Sequence, residues 1–179
     1  MDFYEHTERY RERLGRALRH LDWTRVSMLV DDILRCRQYG LTVYLMGNGG
    51  SAANSEHICN DLQLCGVRSI ALSANSATVT CIGNDAGFDT IFMLQLALLA
   101  RNGDILIALS GSGNSPNILR ALEHARRAEI PSYAIVGFNG GKARELATCP
   151  IHVPVDDMQI AEDCQSVITH TVMQWLRAA

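Results

Sequence analysis

Two short segments of this chain combine glycine and serine in the way an anion pocket needs. Gly47-Asn48-Gly49-Gly50-Ser51 and Ser110-Gly111-Ser112-Gly113-Asn114-Ser115 each follow an apolar run and precede a helical pattern. Glycine lets the backbone approach a ligand closely. The helix that follows offers unpaired N–H groups and the positive end of its dipole. Asn48, Gly49, Gly50 and Ser51 in the first turn, with Ser110, Gly111, Ser112 and Ser115 in the second, are therefore the candidate phosphate contacts. Pro116 suits the first helical position, which makes Ser115 the expected N-cap. Neither turn ends in the Gly-Lys-Ser/Thr of a nucleotide loop, the first is an incomplete GxGxxG, and the second lacks the GxSxG of a serine nucleophile. Alone, either turn reads equally well as a tight turn with a capped helix. Two of them, each after a buried strand of one sheet, point to a shared anion pocket. His124, about two turns beyond the second cap, reads as a packing or solvated histidine.

The elements that must position these turns follow from the apolar pattern. Residues 3 to about 20 and 24 to about 38 read as helices, with Val26, Leu29, Val30, Ile33 and Leu34 at helical spacing. After Gly40 short apolar runs alternate with helices. The strand candidates are 42–46, 68–72, 104–109, 132–137 and 151–153. Helical patterns lie at 52–65, 76–98 (broken near Gly83–Gly87), 115–128 and 142–147, and a last long helix runs from about Met158 to Leu176. This alternation predicts an α/β sandwich of three layers around a parallel sheet of five strands, binding ligands at the carboxyl ends of the strands. One domain of 179 residues is expected, with an α/β core over 41–179 and a helical pair over 1–40 that covers the sheet or packs against another subunit.

Composition narrows the classes of function. The formal charge of −3 gives no basic excess to neutralise a nucleic-acid backbone. No apolar run reaches the roughly 20 residues of a membrane span, and the charged start lacks a signal-peptide core, so a cytoplasmic protein without membrane contact is expected. Six cysteines, Cys36, Cys59, Cys65, Cys81, Cys149 and Cys164, show no CxxC spacing and read as small buried residues of a reducing compartment.

With these residues in view the chain resembles the SIS-domain sugar-phosphate proteins. The resemblance is carried by GNGGS, by the helix bearing His57, by CIGNDAGFDTIF over 81–92, and by GDILIALSGSGNSPNI over 103–118. Within that family the chain is most similar to the phosphoheptose isomerases. The resemblance implies the SIS fold and a homotetramer with active sites at subunit interfaces. It also implies isomerisation of sedoheptulose 7-phosphate to a heptose 7-phosphate in heptose biosynthesis, often with zinc. By position, Ser51, Ser110, Ser112 and Ser115 match phosphate contacts, while Gly111 replaces a threonine. Asn84 and Asp85 match a pair near the substrate. His57 matches a metal-binding histidine, Asp61 stands at a catalytic glutamate, and Glu162 stands at a glutamine. A gap-free match of the last helix puts His170 at the catalytic histidine. A rival match would use Gln165 for the glutamine and Met173 for the histidine.

Moving a proton between adjacent carbons through an enediol needs a base and an acid, with the phosphate held as a handle. Asp61 and His170 are the groups the resemblance assigns. His57 and Asp61 at i and i+4 share one helix face, a spacing suited to two ligands of one metal. Glu162 and His170 would complete a zinc set of four. Eight residues of helix rise about 12 Å, however, so a set of three is equally open. Glu56 and Asp163 lie on other faces and are expected to be solvated. A non-catalytic SIS protein, sensing a sugar phosphate or serving as a protein-binding scaffold, is the alternative. Glucosamine-phosphate chemistry fits less well, because those proteins carry two SIS units in tandem.

Overall fold

The computed structural model describes residues 2–178. Its centre is a sheet of five strands, β1 (Thr42–Met46), β2 (Arg68–Ala71), β3 (Ile105–Ser110), β4 (Ser132–Val136) and β5 (Cys149–His152), in the order β2-β1-β3-β4-β5. Every pairing is parallel. After β1 the chain goes to one side of the sheet, and from β3 onward it builds the other. The crevice between the ends of β1 and β3 is thus the switch point where such sheets bind ligands.

Alternation along the strands builds two cores. Val43, Leu45, Ile105, Ile107 and Leu109 face one layer, and Tyr44, Met46, Leu106 and Ala108 face the other. The first layer is made by α1 (Phe3–Arg19), α2 (Trp23–Tyr39), α3 (Gly50–Leu64) and α8 (Met158–Ala178). The second holds α5 (Ile91–Leu99), α6 (Pro116–Arg127) and the short α7 (Ala143–Leu146), with α4 (Ser76–Asp85) at its margin. Helix α2 buries Val26, Leu29, Ile33 and Cys36 on the sheet side, whereas α1 buries only Ala17 and rests on α8. Tyr10 Oη donates to Asp163 Oδ2 at 2.6 Å, and Arg13 pairs with Asp157 at 2.6 Å. The sheet-covering role of the helical pair is thus realised by α2.

The break expected near Gly83–Gly87 is present, and one strand end differs from the sequence reading. The break in the 76–98 pattern falls at Ala86-Gly87, where Gly87 takes a φ of 97° before a turn of 3-10 helix over Phe88–Thr90. Strand β5 starts two residues earlier than expected and includes Pro150. As the outermost strand it tolerates a residue that donates no hydrogen bond.

Candidate active site

Both glycine/serine turns lie at the switch point. The first leaves β1 at Met46 and enters α3 at Gly50, with Gly49 in the left-handed region. Ala52 N and Ala53 N already donate to the Gly49 carbonyl oxygen, which leaves Gly50 and Ser51 as the N–H groups at the head of α3 that such a helix leaves without an intrahelical acceptor. Ser51 is buried at the head of the helix. The second turn joins β3 to α6. Its shape depends on Gly113, whose φ is 65° and whose Cβ, if it had one, would come within 2.0 Å of the Gly140 carbonyl oxygen. No L-residue with a side chain fits there.

The hydroxyls of the second turn are arranged for an acceptor. Ser110 Oγ accepts from Gly113 N at 3.1 Å and Ser112 Oγ accepts from Asn114 N at 3.3 Å. Each keeps its own O–H hydrogen free to donate. Ser115 is the N-cap residue of α6, followed by Pro116, and its side chain makes no capping bond. Three serine hydroxyls thus lie in the turn that leads into the amino end of a helix of 12 residues, where an anion is favoured.

A side-chain amide pair joins the two turns. Asn48 Nδ2 donates to Asn117 Oδ1, and Asn117 Nδ2 donates back to Asn48 Oδ1, both at 2.8 Å. Asn117, in the first turn of α6, is almost fully buried. The sequence reading missed it; a second Asn three residues after Asn114 was its only local sign.

Farther along the groove, α8 crosses α3 and gathers three of the candidate residues. His57 Nε2 lies 2.9 Å from His170 Nε2 and 3.7 Å from Asp61 Oδ2. At 2.9 Å one ring donates and the other accepts, so the pair shares a proton when no ion stands between them. Asp61 Oδ1 also faces Arg177 at 3.6 Å, a residue the sequence reading did not use. The donor atoms of His57, Asp61 and His170 all lie within 4.8 Å of one another, near enough for one metal ion. Two imidazoles and a carboxylate suit zinc and leave a fourth position open, as catalytic sites do. Both histidines are exposed. Met173, the rival for the histidine position, is instead buried in the core.

Glu162 is not brought into this group. It lies two helical turns and about 12 Å before His170, and its carboxylate rests on the first glycine turn. A Cβ on Gly50 would sit 2.4 Å from Glu162 Oε2, and Ser51 Oγ donates to Glu162 Oε1 at 3.5 Å. Of the two sets the sequence reading left open, the group of three is the one whose donor atoms lie together, and Glu162 contacts the first turn. The backbone beside it is fixed by Asn54, which donates to the Glu162 carbonyl oxygen and to Gln165 Oε1. Gly111 is occupied in a different sense: Met158 Sδ lies 2.2 Å from where its Cβ would be. The thioether fills the space of the side chain that Gly111 lacks. Asn84 and Asp85 stand exposed at the end of α4, where Asn84 Nδ2 donates to Asp85 Oδ1 at 2.7 Å. Neither bonds to the two turns among the described residues. Asp163 and Glu56 both find hydroxyl donors, Tyr10 and Ser73.

Comparison with known proteins gives the family. The SIS domain profile matches residues 8–137, which include both turns, His57 and Asp61. The chain belongs to the SIS domain family. Among relatives of this SIS protein, the phosphoheptose isomerase of Trichlorobacter lovleyi is 34% identical over 151 residues, covering 81% of this chain and 77% of its own. That of Akkermansia muciniphila is 35% identical, covering 86% and 82%. The phosphoheptose isomerase structure from Neisseria gonorrhoeae superposes with a TM-score of 0.92 at 26% identity, covering 98% and 97% of the two chains. The one from Francisella tularensis gives 0.91 at 28% identity over the whole of both. The Vibrio vulnificus NanR protein, at 15% identity and a TM-score of 0.71, shares the fold alone. Among the described residues no helix of this SIS chain is long and apolar enough to cross a membrane.

Proposed function

We propose that this chain is a sugar-phosphate aldose–ketose isomerase that converts sedoheptulose 7-phosphate to a heptose 7-phosphate through an enediol. The observation that carries the reading is the first glycine turn at the head of α3, tied to the hydroxyl-bearing second turn, with an Asp/His group about 10 Å farther along the same helix. Seven residues separate Gly50 from His57 on α3, a rise of about 10 Å. An extended seven-carbon chain between phosphorus and its carbonyl carbon spans roughly the same length, at about 1.2 Å per bond. With the phosphate held where the two turns meet, such a sugar is long enough to run along α3 toward His57, Asp61 and His170.

There the chain's own groups have the required parts. His170 and Asp61 are the proton-transfer pair, one taking the proton from carbon while the other serves the carbonyl oxygen. The His57–His170 contact holds a proton at Nε2, available to an oxygen atom that becomes an alcohol. Asp61 Oδ2 faces His57 Nε2 at 3.7 Å. A zinc ion held by His57, Asp61 and His170 would polarise the substrate carbonyl and stabilise the developing oxyanion. The exposure of both histidines, together with uncovered Phe3, Phe88 and Leu98, supports a homotetramer whose contacts close the site. The same reading places the enzyme in the cytoplasm, feeding heptose biosynthesis.

The test is incubation of the protein, zinc-supplemented or chelator-treated, with sedoheptulose 7-phosphate while NMR follows aldose formation. Turnover is expected with zinc and should fall on chelation. His170→Ala should abolish turnover and leave inorganic phosphate binding nearly intact. Binding of the ketose phosphate with no turnover in any form would favour a sensor; full activity of His170→Ala would remove the acid–base assignment. Light scattering checks the assembly, and a monomer in solution would refute it.

A further inference from the structure

We propose that Arg177 is a further catalytic residue: its guanidinium, held loosely beside Asp61, turns onto the enediolate oxygen and stabilises the charge that forms there. The inference rests on the isomerase reading above and concerns the oxyanion, not the proton transfer.

Its place follows from how the two helices of the site run. Glu162 lies against Gly50, His170 against His57, and Arg177 against Asp61, so α3 and α8 lie side by side and run in the same direction. Residues seven apart fall on one stripe of a helix, about 20° out of line, so His170 and Arg177 share a face of α8. Long side chains lean toward the amino end of their helix, which brings the Arg177 guanidinium back toward His170. Arg177 thus stands at the end of the groove away from the two turns. A ketose phosphate has its phosphate at one end and its carbonyl near the other, so the carbonyl end is the one that approaches Arg177.

The guanidinium is free to act there. It lies 3.6 Å from Asp61 Oδ1, outside hydrogen-bonding distance, and its side chain is 55% exposed. None of its five N–H groups donates to a protein acceptor among the described residues. A cation in the last turn of a helix usually serves the free carbonyls there. Here Arg37 Nη1, from α2, already donates to the Leu176 carbonyl oxygen at 3.2 Å, and Arg177 faces Asp61 instead.

The reaction has a use for such a group. When the base takes a proton from the carbon next to the carbonyl, the C–H electron pair becomes the new C=C bond. The carbonyl π pair moves onto oxygen, and an enediolate with one negative charge results. A guanidinium keeps its protons, so it stabilises this charge as a fixed donor and moves no proton itself. The proton shared by His57 and His170 then neutralises the oxygen. Return of the first proton to the former carbonyl carbon, with loss of the neighbouring hydroxyl proton to the histidines, gives the aldose.

The experiment uses two phosphates that cannot isomerise. One is a hexonohydroxamate 6-phosphate, whose ionised hydroxamate imitates the enediolate; the other is the matching hexonamide 6-phosphate, neutral at that place. Dissociation constants are measured by calorimetry on chelator-treated protein, so that no zinc ligates the hydroxamate, with thermal melts confirming the fold. The parent should prefer the hydroxamate by about a hundredfold, as sites built for a transition state prefer its mimics. In Arg177→Gln the hydroxamate should bind about thirtyfold more weakly, the loss of one charge-assisted hydrogen bond, while hexonamide binding changes by less than about twofold. Arg177→Lys, which keeps the charge without the planar fork, should lose about fivefold. With zinc and sedoheptulose 7-phosphate, Arg177→Gln should lower kcat about thirtyfold and leave KM within about twofold, the mark of an interaction made in the transition state. Unchanged hydroxamate affinity in Arg177→Gln, or equal losses for both probes, overturns the proposal. No turnover by the parent counts against the isomerase reading, whereas a parent that turns over and an Arg177→Gln variant that keeps its hydroxamate affinity count against Arg177 alone.

Discussion

Removing Asn117 should separate the two turns, and the size of the effect can be worked out from its contacts. Asn117→Ala deletes both 2.8 Å bonds to Asn48 and the acceptor of Ile118 N at 3.0 Å. Each neutral bond contributes about 0.5–1.5 kcal/mol net, and a buried polar group left unpaired costs about 1–3 kcal/mol. Asn48 is only half-buried and can recruit water, so a total loss of about 2–3 kcal/mol is expected. For a chain of this size that lowers Tm by roughly 5–10 °C. Stability alone would not show that the pair serves the pocket, so phosphate affinity is the second measurement. With the turns no longer tied, inorganic phosphate should bind roughly tenfold more weakly, about 1.4 kcal/mol. Asn117→Asp keeps the bond donated by Asn48 but sets two oxygens against each other. It should be more stable than Asn117→Ala and bind phosphate less well, because it adds negative charge. The assay is a cycle of Asn48→Ala, Asn117→Ala and the double variant, followed by denaturant melts and phosphate titration. A coupling of about 1–2 kcal/mol is expected for residues in direct contact. Strict additivity, or phosphate affinity unchanged in Asn117→Ala, would refute the reasoning.

Two other outcomes follow from single contacts. Gly111→Thr should disturb the second turn, because the new Cβ lands on Met158 Sδ. Combined with Met158→Ala it should bind phosphate about tenfold tighter than the parent through an added hydroxyl; equal affinity in both backgrounds would show that Met158 is not the obstacle. Alkaline stability should follow two buried thiols. Burial pushes Cys36 and Cys164 up from 9.0 to about 11. A raised pKa favours the neutral thiol of the folded state, so this contribution is complete below pH 9.0 and is lost as pH rises through about 11. Denaturant melts at stepped pH should show the fall within that window, less steep in Cys164→Ala. Constant stability up to pH 11 would contradict the assignment.

The parts of the fold that could be read from the sequence were those decided locally. Strand β1 occupies the expected 42–46, and α2 carries the apolar stripe of Val26, Leu29 and Ile33 into the core. Strand ends moved by a residue or two because pairing with neighbours, not propensity, decides where a strand stops. In the site the same division holds. His57 and Asp61 could be paired from their i, i+4 spacing, since one helix turn fixes both. The arrival of His170 depends on how α8 lies across α3, which spacing does not state; the family resemblance supplied it. Glu162 shows the opposite case. Its position in the chain allowed a place in the metal group, but helical rise put it near Gly50, where the lack of a side chain made room. Asn117 was not legible because its partner lies 69 residues away.

This arrangement divides the work between parts of different rigidity. The turns are extensions of buried strands, clamped by the Asn48–Asn117 pair and by the bonds from Gly137 N to Gly111 O and from Ala143 N to Gly113 O. They can hold a phosphate without rearranging. The Asp/His group lies on exposed faces of α3 and α8, where Arg177 is a loose neighbour of Asp61 at 3.6 Å and, half-exposed, contributes little. Proton transfer tolerates little misplacement, about 1 Å being costly, so these exposed side chains need something else to fix them. Substrate anchored in the turns supplies one constraint, and a covering subunit would supply the other. Changes in the turns should therefore alter the binding of every phosphate, whereas changes at His57, Asp61 and His170 should alter turnover and leave that binding in place.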